Sequence, residues 1–310
     1  MILSVTMNPS VDIYYPLETL VLDGVNRVDI VRKTAGGKGL NVARVIHQLD
    51  GDVTATGLIG GTLGNFIVNE LNKHGIVNAF IETEKESRNC IAIVHEGKQT
   101  EILESGPTIS VEEGQLFLQK FESLLTKVSL VTISGSLPKG IESSFYHQLL
   151  ILCNQKGIKV ILDASGEPLR QALLQSEKLF AIKPNLEELV HLIGRDVHLD
   201  NNGLIDVLSD NLFASVECVL VSLGRLGAFV KYKEVFYRVK IPEIEVINPV
   251  GSGDATVAGM AVALQKEDSI KGVFASAMAA GMANAIEAGT GTVNLQNYKR
   301  FYDMVEVIEI

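Results

Sequence analysis

No stretch of this 310-residue chain approaches the roughly 18 uninterrupted apolar residues that a membrane span needs. Positive charge is in short supply. Against 37 Asp and Glu there are 27 Lys and Arg, a formal charge of −10. That balance argues against non-specific attachment to nucleic acid or acidic membrane, whose contact faces need clustered cations. An anionic ligand would therefore have to be met by a few cations placed locally. Cysteine is scarce: Cys90, Cys153 and Cys218 lie far apart with no CxxC pairing. This speaks against a disulfide framework or a zinc site and fits a reducing compartment. The six histidines show no HExxH or comparable ligand spacing and read as ordinary surface or core residues. The opening "MILSVTMNPSVD" lacks the basic region and long apolar run of a signal peptide. The expectation is a cytoplasmic protein with neither nucleic acid nor membrane as partner.

What the chain has is enough apolar material, 46% of its residues, to bury a large core. "VSLVTISG" (128–135), "KVILDAS" (159–165), "LFAIKPN" (179–185) and "CVLVSLG" (218–224) are short, near-continuously apolar runs. Such runs suit strands covered by helices on both faces of a parallel sheet. Helix-length segments lie between them, at 111–127, 143–156 and 202–216. The alternation predicts a layered α/β fold with a mainly parallel central sheet, whose ligands bind at the carboxyl ends of the strands. Two segments break the rhythm: residues 12–32, and residues 88–103 with "EGKQ" as a hairpin turn. Both are rich in alternating and β-branched residues, as in an antiparallel flap or as extra edge strands. One domain over residues 1–310 is expected, with a small lid of strands from about 12–34 and 88–104.

Two glycine-rich turns carry most of the chemistry. In "TAGGKGLNVARVIHQL" (34–49), Gly36, Gly37 and Gly39 allow close backbone approach, and Asn41 opens an amphipathic helix. A helix N-terminus with a lysine, Lys38, suits an anion or hydroxyls; a tight strand-to-helix turn is the plainer reading. In "NPVGSGDATVAGMAVAL" (248–264) the dinucleotide fingerprint fails, because Thr256 stands where a third glycine is needed. That failure counts against a nicotinamide-dependent oxidoreductase. What is left is a Gly251-Ser252-Gly253 turn offering amides to a transferred phosphoryl group. Asp254 is then either the helix N-cap or a general base beside the reacting phosphate.

Two further turns suit a nucleotide. "KPNLEEL" sets Lys183, Asn185 and Glu188 just past a strand, fitting phosphate oxygens and a hydrated magnesium ion. The same three-residue spacing of Asn185 and Glu188 is that of a capping box. "VSLGRLGAFV" places Ser222, Gly224 and Gly227 in a glycine turn that, by itself, is merely a hairpin.

In order and spacing, "NPSVD", "GGKGLN", "SGSLPKG", "KPN", "VSLG" and "NPVGSGD" resemble the phosphofructokinase B branch of the ribokinase-like sugar kinases, over essentially the whole chain. "TAGGKGLNVARV", "RNCIAIVHEGKQTEILESGP" and "INPVGSGDATVAGM" are particularly similar to its tagatose-6-phosphate kinases, enzymes of lactose and galactose catabolism. The resemblance implies a ribokinase-like three-layer α/β/α sandwich with a β-strand lid. It implies ATP with Mg²⁺ as donor and a phosphorylated ketohexose as acceptor, D-tagatose 6-phosphate phosphorylated at its C1 hydroxyl.

Carried onto this chain, the resemblance makes Asp254 the base and Gly251, Ser252 and Gly253 the anion hole. Asp12, Gly36, Gly37, Lys38 and Asn41 would hold sugar hydroxyls or phosphate, and Arg27 and Arg88 would clamp the existing phosphate. ATP would lie along Lys183, Asn185, Ser222, Gly224, Gly227 and Asn284, with Glu188 organising Mg²⁺ through water. Ala255 departs from the serine that many relatives carry there; alanine is an excellent helix former. Fructose-1-phosphate and fructose-6-phosphate kinases are the nearest rivals, and a nucleotide- or sugar-phosphate-binding regulator is the non-enzyme alternative. Ile91, Ile93 and Val94 on the flap make it a candidate surface for pairing with a second copy.

Overall fold

A computed structural model describes residues 1–175 and 178–310. The chain opens with β1 (Ile2–Thr6), β2 (Ser10–Pro16), β3 (Arg32–Gly36) and α1 (Lys38–Gln48). It continues through β4 (Val53–Gly60), α2 (Gly61–Lys73), β5 (Val77–Asn78), β6 (Ile81–Thr83), β7 (Arg88–His95) and β8 (Lys98–Leu103). Next come α3 (Val111–Leu124), β9 (Leu130–Ser134), α4 (Phe145–Gln155), β10 (Lys159–Asp163), α5 (Gly166–Leu174) and β11 (Leu179–Ile182). Then follow α6 (Leu186–Ile193), α7 (Asn201–Leu208), β12 (Val216–Ser222), β13 (Ala228–Tyr232) and β14 (Val235–Lys240). The last elements are α8 (Ser252–Gln265), α9 (Ile270–Ala285), α10 (Leu295–Met304) and β15 (Glu306–Glu309).

Along the main sheet the order is β15-β14-β13-β12-β11-β10-β9-β1-β4-β5, with β6 also on β4. From β5 to β12 every pairing is parallel; β13, β14 and β15 add an antiparallel edge. Side chains along the central strands alternate between the two faces. Ile2 and Ile161 pack with α1, α2, α8, α9 and α10. Leu3, Val160 and Leu162 pack with the layer that includes Phe117, Leu149, Leu169, Leu189 and Leu204 of α3 to α7. The result is the three-layer α/β/α arrangement with a mostly parallel sheet. β1 lies between β4 and β9, so successive connections leave it in opposite directions and a crevice opens at its carboxyl end.

A second sheet, ordered β3-β2-β7-β8, stands over that crevice. Its β7–β8 hairpin turns at Glu96 and Gly97, both at positive φ, as a two-residue hairpin loop demands. Much of the expected strand between residues 12 and 32 is instead a loop. Pro16 ends β2, and the Asn26 side chain bonds both the N–H (2.9 Å) and the carbonyl (2.8 Å) of Val21, closing a local turn. β3 runs two residues beyond the expected boundary and passes directly into α1, where Gly37 is the N-cap. The helix expected at 202–216 also stops early. Ser209 bonds the carbonyl of Ile205, and Asp210 caps a separate 3₁₀ turn over Asn211–Phe213.

α8 and α9 are buried on nearly all sides and rich in Ala and Gly, which lets their axes approach closely. Ser276 donates to the Gly259 carbonyl at 2.6 Å, and a Cβ on Gly259 would collide with the Ser276 carbonyl oxygen. Among the described residues no helix is long and apolar enough to cross a membrane. Gly259→Val should force this helix pair apart and cost about 2 kcal/mol or more, read as a lowered melting temperature; an unchanged melt would refute the tight contact.

Candidate active site

The carboxyl ends of β1, β9, β10 and β11 open under the flap into a cavity of about 830 Å³, lined there by Thr6, Ser134, Asp163 and Lys183. Asp163 ends β10 and is 3% exposed. Its carboxylate lies 3.5 Å from Lys183 Nζ and 3.8 Å from Lys38 Nζ. A carboxylate this deep is tolerable only with such partners. Lys38 is also 3.9 Å from Glu188, and the Asp163 charge, more than any other influence, holds the Lys38 ammonium above its ordinary range. Asp163 Oδ2, Thr6 Oγ1, Asn8 Oδ1 and Ser134 Oγ are buried without hydrogen-bond partners. Four unsatisfied polar atoms in one cavity mark a site built for a polar ligand.

Asp254 does not cap its helix. Gly251 takes that place with φ of 83°, and Asp254 is the third helical residue. The first intrahelical bond runs from Ala255 N–H to the Gly251 carbonyl (2.9 Å), so the amides of Gly253 and Asp254 precede the helical ladder. A Cβ on Gly253 would lie 3.2 Å from Lys183 Nζ, so the bare backbone there lets the cation sit against the helix mouth. Ser252 has its N–H bonded to the Pro249 carbonyl and its hydroxyl facing Asn284 rather than the cavity. The Asp254 side chain is 6% exposed and accepts from Asn41 Nδ2 at 2.9 Å through Oδ2. Burial first, then the like charge of Asp163, pushes its carboxyl up to about 7, against the opposing pull of Asn41, Lys38 and Lys183. A carboxylate poised near neutrality can both accept and return a proton.

On the flap side, Asp12 is half-buried and accepts from Ser10 at 2.6 Å; desolvation raises its pKa. Gly36 lies directly against it, because any side chain there would strike the Asp12 carboxylate. Arg88 lines the cavity with its guanidinium fixed by backbone: Nε and Nη2 donate to the Asn8 carbonyl at 3.2 and 3.0 Å, Nη1 to the Glu104 carbonyl at 2.8 Å. Of five N–H donors, two stay free for an anion. Arg27, in contrast, is exposed on the loop between β2 and β3 and does not line the cavity, whereas Arg32 on β3 does.

Asn41 falls one turn inside α1 rather than opening it, since β3 runs straight into a helix that begins at Lys38. Asn185 and Glu188 do form a capping box, with bonds of 2.8 and 2.9 Å, and both also line the cavity. Ser222 is bridged to Asn185 but, like Gly224 and Gly227 in the turn to β13, does not line the cavity. Asn284 is fully buried. Its Nδ2 donates to the Val250 carbonyl (2.9 Å) and reaches Ser252 Oγ (3.3 Å), while its Oδ1 accepts from Thr292 N–H (3.2 Å). Every polar atom of that side chain is engaged within the protein, so it braces the glycine turn and offers nothing to a ligand.

Asp163 and Arg44 are among the cavity residues that the sequence motifs do not single out. Asp163 had one available signal, a carboxylate ending an apolar strand in "KVILDAS". Arg44 stands three residues after Asn41, on the same helix face. It lines the cavity, and burial lowers its pKa in spite of the Asp12 and Asp254 charges.

A deep carboxylate at a glycine-rich helix mouth, flanked by two lysines at the carboxyl edge of a parallel sheet, defines a phosphoryl-transfer class of site. The description "pfkB family carbohydrate kinase" matches residues 5–297, and the chain belongs to that family of ATP-dependent kinases. It is 33% identical to a Staphylococcus aureus protein assigned as a phosphofructokinase, over 100% of this chain and 99% of that one, with a TM-score of 0.87. With Escherichia coli phosphofructokinase-2, crystallised with potassium, identity is 27%, coverage 97% and 98%, and TM-score 0.90. With a Thermotoga maritima protein assigned as a 1-phosphofructokinase the corresponding figures are 27%, 100% and 99%, and 0.84.

The raised Asp254 pKa has a cost in stability. Unfolded, the group ionises near 3.8, but folded only near 7. Below both values it is protonated in either state; as pH rises between them the unfolded chain loses its proton first, and stability falls. The penalty is complete above pH 7 and amounts at most to roughly 4 kcal/mol. Asp254→Asn should therefore melt higher than the parent protein at pH 8 and nearly level with it at pH 4. Equal melting temperatures at both pH values would contradict the buried-carboxyl picture.

Proposed function

We propose that the protein phosphorylates D-tagatose 6-phosphate at its C1 hydroxyl with ATP, giving tagatose 1,6-bisphosphate and ADP. The observation that carries the chemistry is Asp254, tethered through one oxygen to Asn41 beside the unpaired amides that begin α8. Its second carboxylate oxygen accepts the C1 hydroxyl proton as that hydroxyl's oxygen bonds to the γ-phosphorus. The bond from γ-phosphorus to the β,γ-bridging oxygen breaks, and ADP leaves with that electron pair. Negative charge on the moving phosphoryl group is met by the Gly253 and Asp254 amides and by Lys183, since positioning and electrostatics dominate such transfers.

Magnesium fits the residues present. Among the described residues no cluster of three or more His, Cys, Asp or Glu stands ready for a metal. That suits an ion that keeps several waters and binds phosphates. Glu188, facing the cavity beside Lys38, would hold it through water, and when bound it would neutralise phosphate charge.

The acceptor assignment is supported by the tagatose-6-phosphate kinase-like segments at 34–45, 88–107 and 247–260. Arg88, with two free N–H donors, and Lys38 are the proposed contacts of the sugar's phosphate and hydroxyls. Arg27 could join them only by movement of its loop. Fructose 6-phosphate is the second reading, favoured by 26% identity to E. coli phosphofructokinase-2 crystallised with that sugar.

One kinetic panel tests both. kcat/KM should be highest for tagatose 6-phosphate; a preference for fructose 6-phosphate or fructose 1-phosphate replaces the assignment. Asp254→Ala should lower kcat by roughly 10²–10⁴, and retained turnover would remove the base. Arg88→Ala should raise KM for the phosphosugar by roughly ten- to a hundred-fold, with kcat largely kept.

The loop between β2 and β3 exposes Leu22 (82%) and Val25 (75%), which supports pairing of two copies through the flap. Sedimentation should give a dimer, and a monomer at micromolar concentration would dismiss that pairing.

A further inference from the structure

From the hydrogen bonds around Asn41 we infer that Arg44 is a positioning residue for the reaction: it fixes the orientation of the Asn41 amide and, through it, aims the Asp254 carboxylate. The inference rests on Asp254 being the base. Arg44 Nη1 donates to Asn41 Oδ1 at 3.0 Å, and Asn41 Nδ2 donates to Asp254 Oδ2 at 2.9 Å. A guanidinium has donors only. The Asn41 atom facing it must therefore be the oxygen, which leaves the amide nitrogen, and not the oxygen, facing Asp254. Without Arg44 the two ends of the amide are nearly isosteric and the side chain can rotate by half a turn. It would then set an acceptor against a carboxylate that also accepts.

Arg44 is itself held at several points. Nη1 also reaches the Thr290 carbonyl (3.3 Å), and Nη2 donates to the Ala35 carbonyl where β3 enters α1. A Cβ on Gly291 would lie 2.8 Å from Nη1 and 3.0 Å from Asn41 Oδ1, so only a bare backbone lets the segment close over the pair. That segment returns to the base by a second route. Thr292 N–H bonds Asn284 Oδ1, and Asn284 braces the Val250–Ser252 turn from which α8 departs. Asp254 is thus fixed from its side chain by Arg44 and Asn41, and from its backbone by Asn284, with residues 290–292 tying the two together.

The consequence is a coupling that a merely structural arginine would not produce. Arg44→Lys keeps a positive charge but loses the two-nitrogen grip. It should lower kcat by roughly ten-fold or more, since small misplacements of a reacting group are costly, while KM for ATP and for the phosphosugar stays within about two-fold of the parent. Asn41→Ala should lower kcat comparably. The double variant should be no slower than the slower single one, because the arginine acts through the asparagine. Multiplying effects in the double variant, unchanged kcat in Arg44→Lys, or a KM rise with kcat kept would overturn the proposal.

In an Asp254→Asn background, Arg44→Lys should leave the residual rate unchanged. If Asp254→Asn itself turns over normally, it is the base assignment that fails. Melting curves accompany each variant. If Arg44→Lys does not melt cooperatively, Arg44→Gln, which retains an amide donor, takes its place in the cycle. Failure of both to fold would make Arg44 a residue of the fold alone and likewise refute its role.

Discussion

The hydrogen bond between Asn41 and Asp254, 213 residues apart in the chain, joins two helices that each begin at a glycine turn. Much of the site's arrangement depends on it. A carboxylate 6% exposed at the first turn of a helix would drift toward its protonated form without compensation. Here the compensation is partial. One amide donor and two lysines oppose burial and the charge of Asp163, leaving the group near neutrality rather than firmly ionised or firmly protonated. The balance is useful only because the donor is fixed, and the donor is fixed by a guanidinium that can do nothing but donate.

Charge in this cavity is organised as a chain of near neighbours: Glu188, Lys38, Asp163 and Lys183. Each lysine is drawn to a carboxylate and lines the cavity. A strongly acidic protein thereby gathers cations at one crevice without a global positive field. The buried atoms left without hydrogen-bond partners, Ser134 Oγ and Thr6 Oγ1 among them, belong to the same crevice and suit a polar ligand.

The scaffold explains why the parts are stiff. α8 carries Asp254, the proposed base, and packs along α9 through alanines and glycines, with Ser276 bonded across to the Gly259 carbonyl. Asn284, near the end of α9, reaches back to the glycine turn. Asp254 therefore stands on a doubly supported helix. The flap is anchored to the core through Val11, Ile13 and Ala35, while the loop between β2 and β3 exposes Leu22 and Val25.

The apolar runs at 128–135, 159–165, 179–185 and 218–224 identify the parallel strands from sequence, because residues covered on both faces must be apolar almost throughout. The glycine turns at Gly37 and Gly251 are legible for a similar reason: a helix entered at positive φ restricts residue type locally. The stop of α7 at Leu208 and the loop after Pro16 were less visible, since a serine's bond to a carbonyl and an asparagine's local ring depend on geometry that composition does not record. The family resemblance would set Asn284 beside ATP, but the fold shows its amide wholly engaged with the protein. The ion pairs of Asp163 with Lys183 and Lys38, and the bond from Asn41 to Asp254, belong to tertiary structure alone. Ordinary residues acquire their roles there by being brought within three or four ångströms of partners far away in sequence, where burial strengthens each charge and removes the water that would otherwise satisfy it.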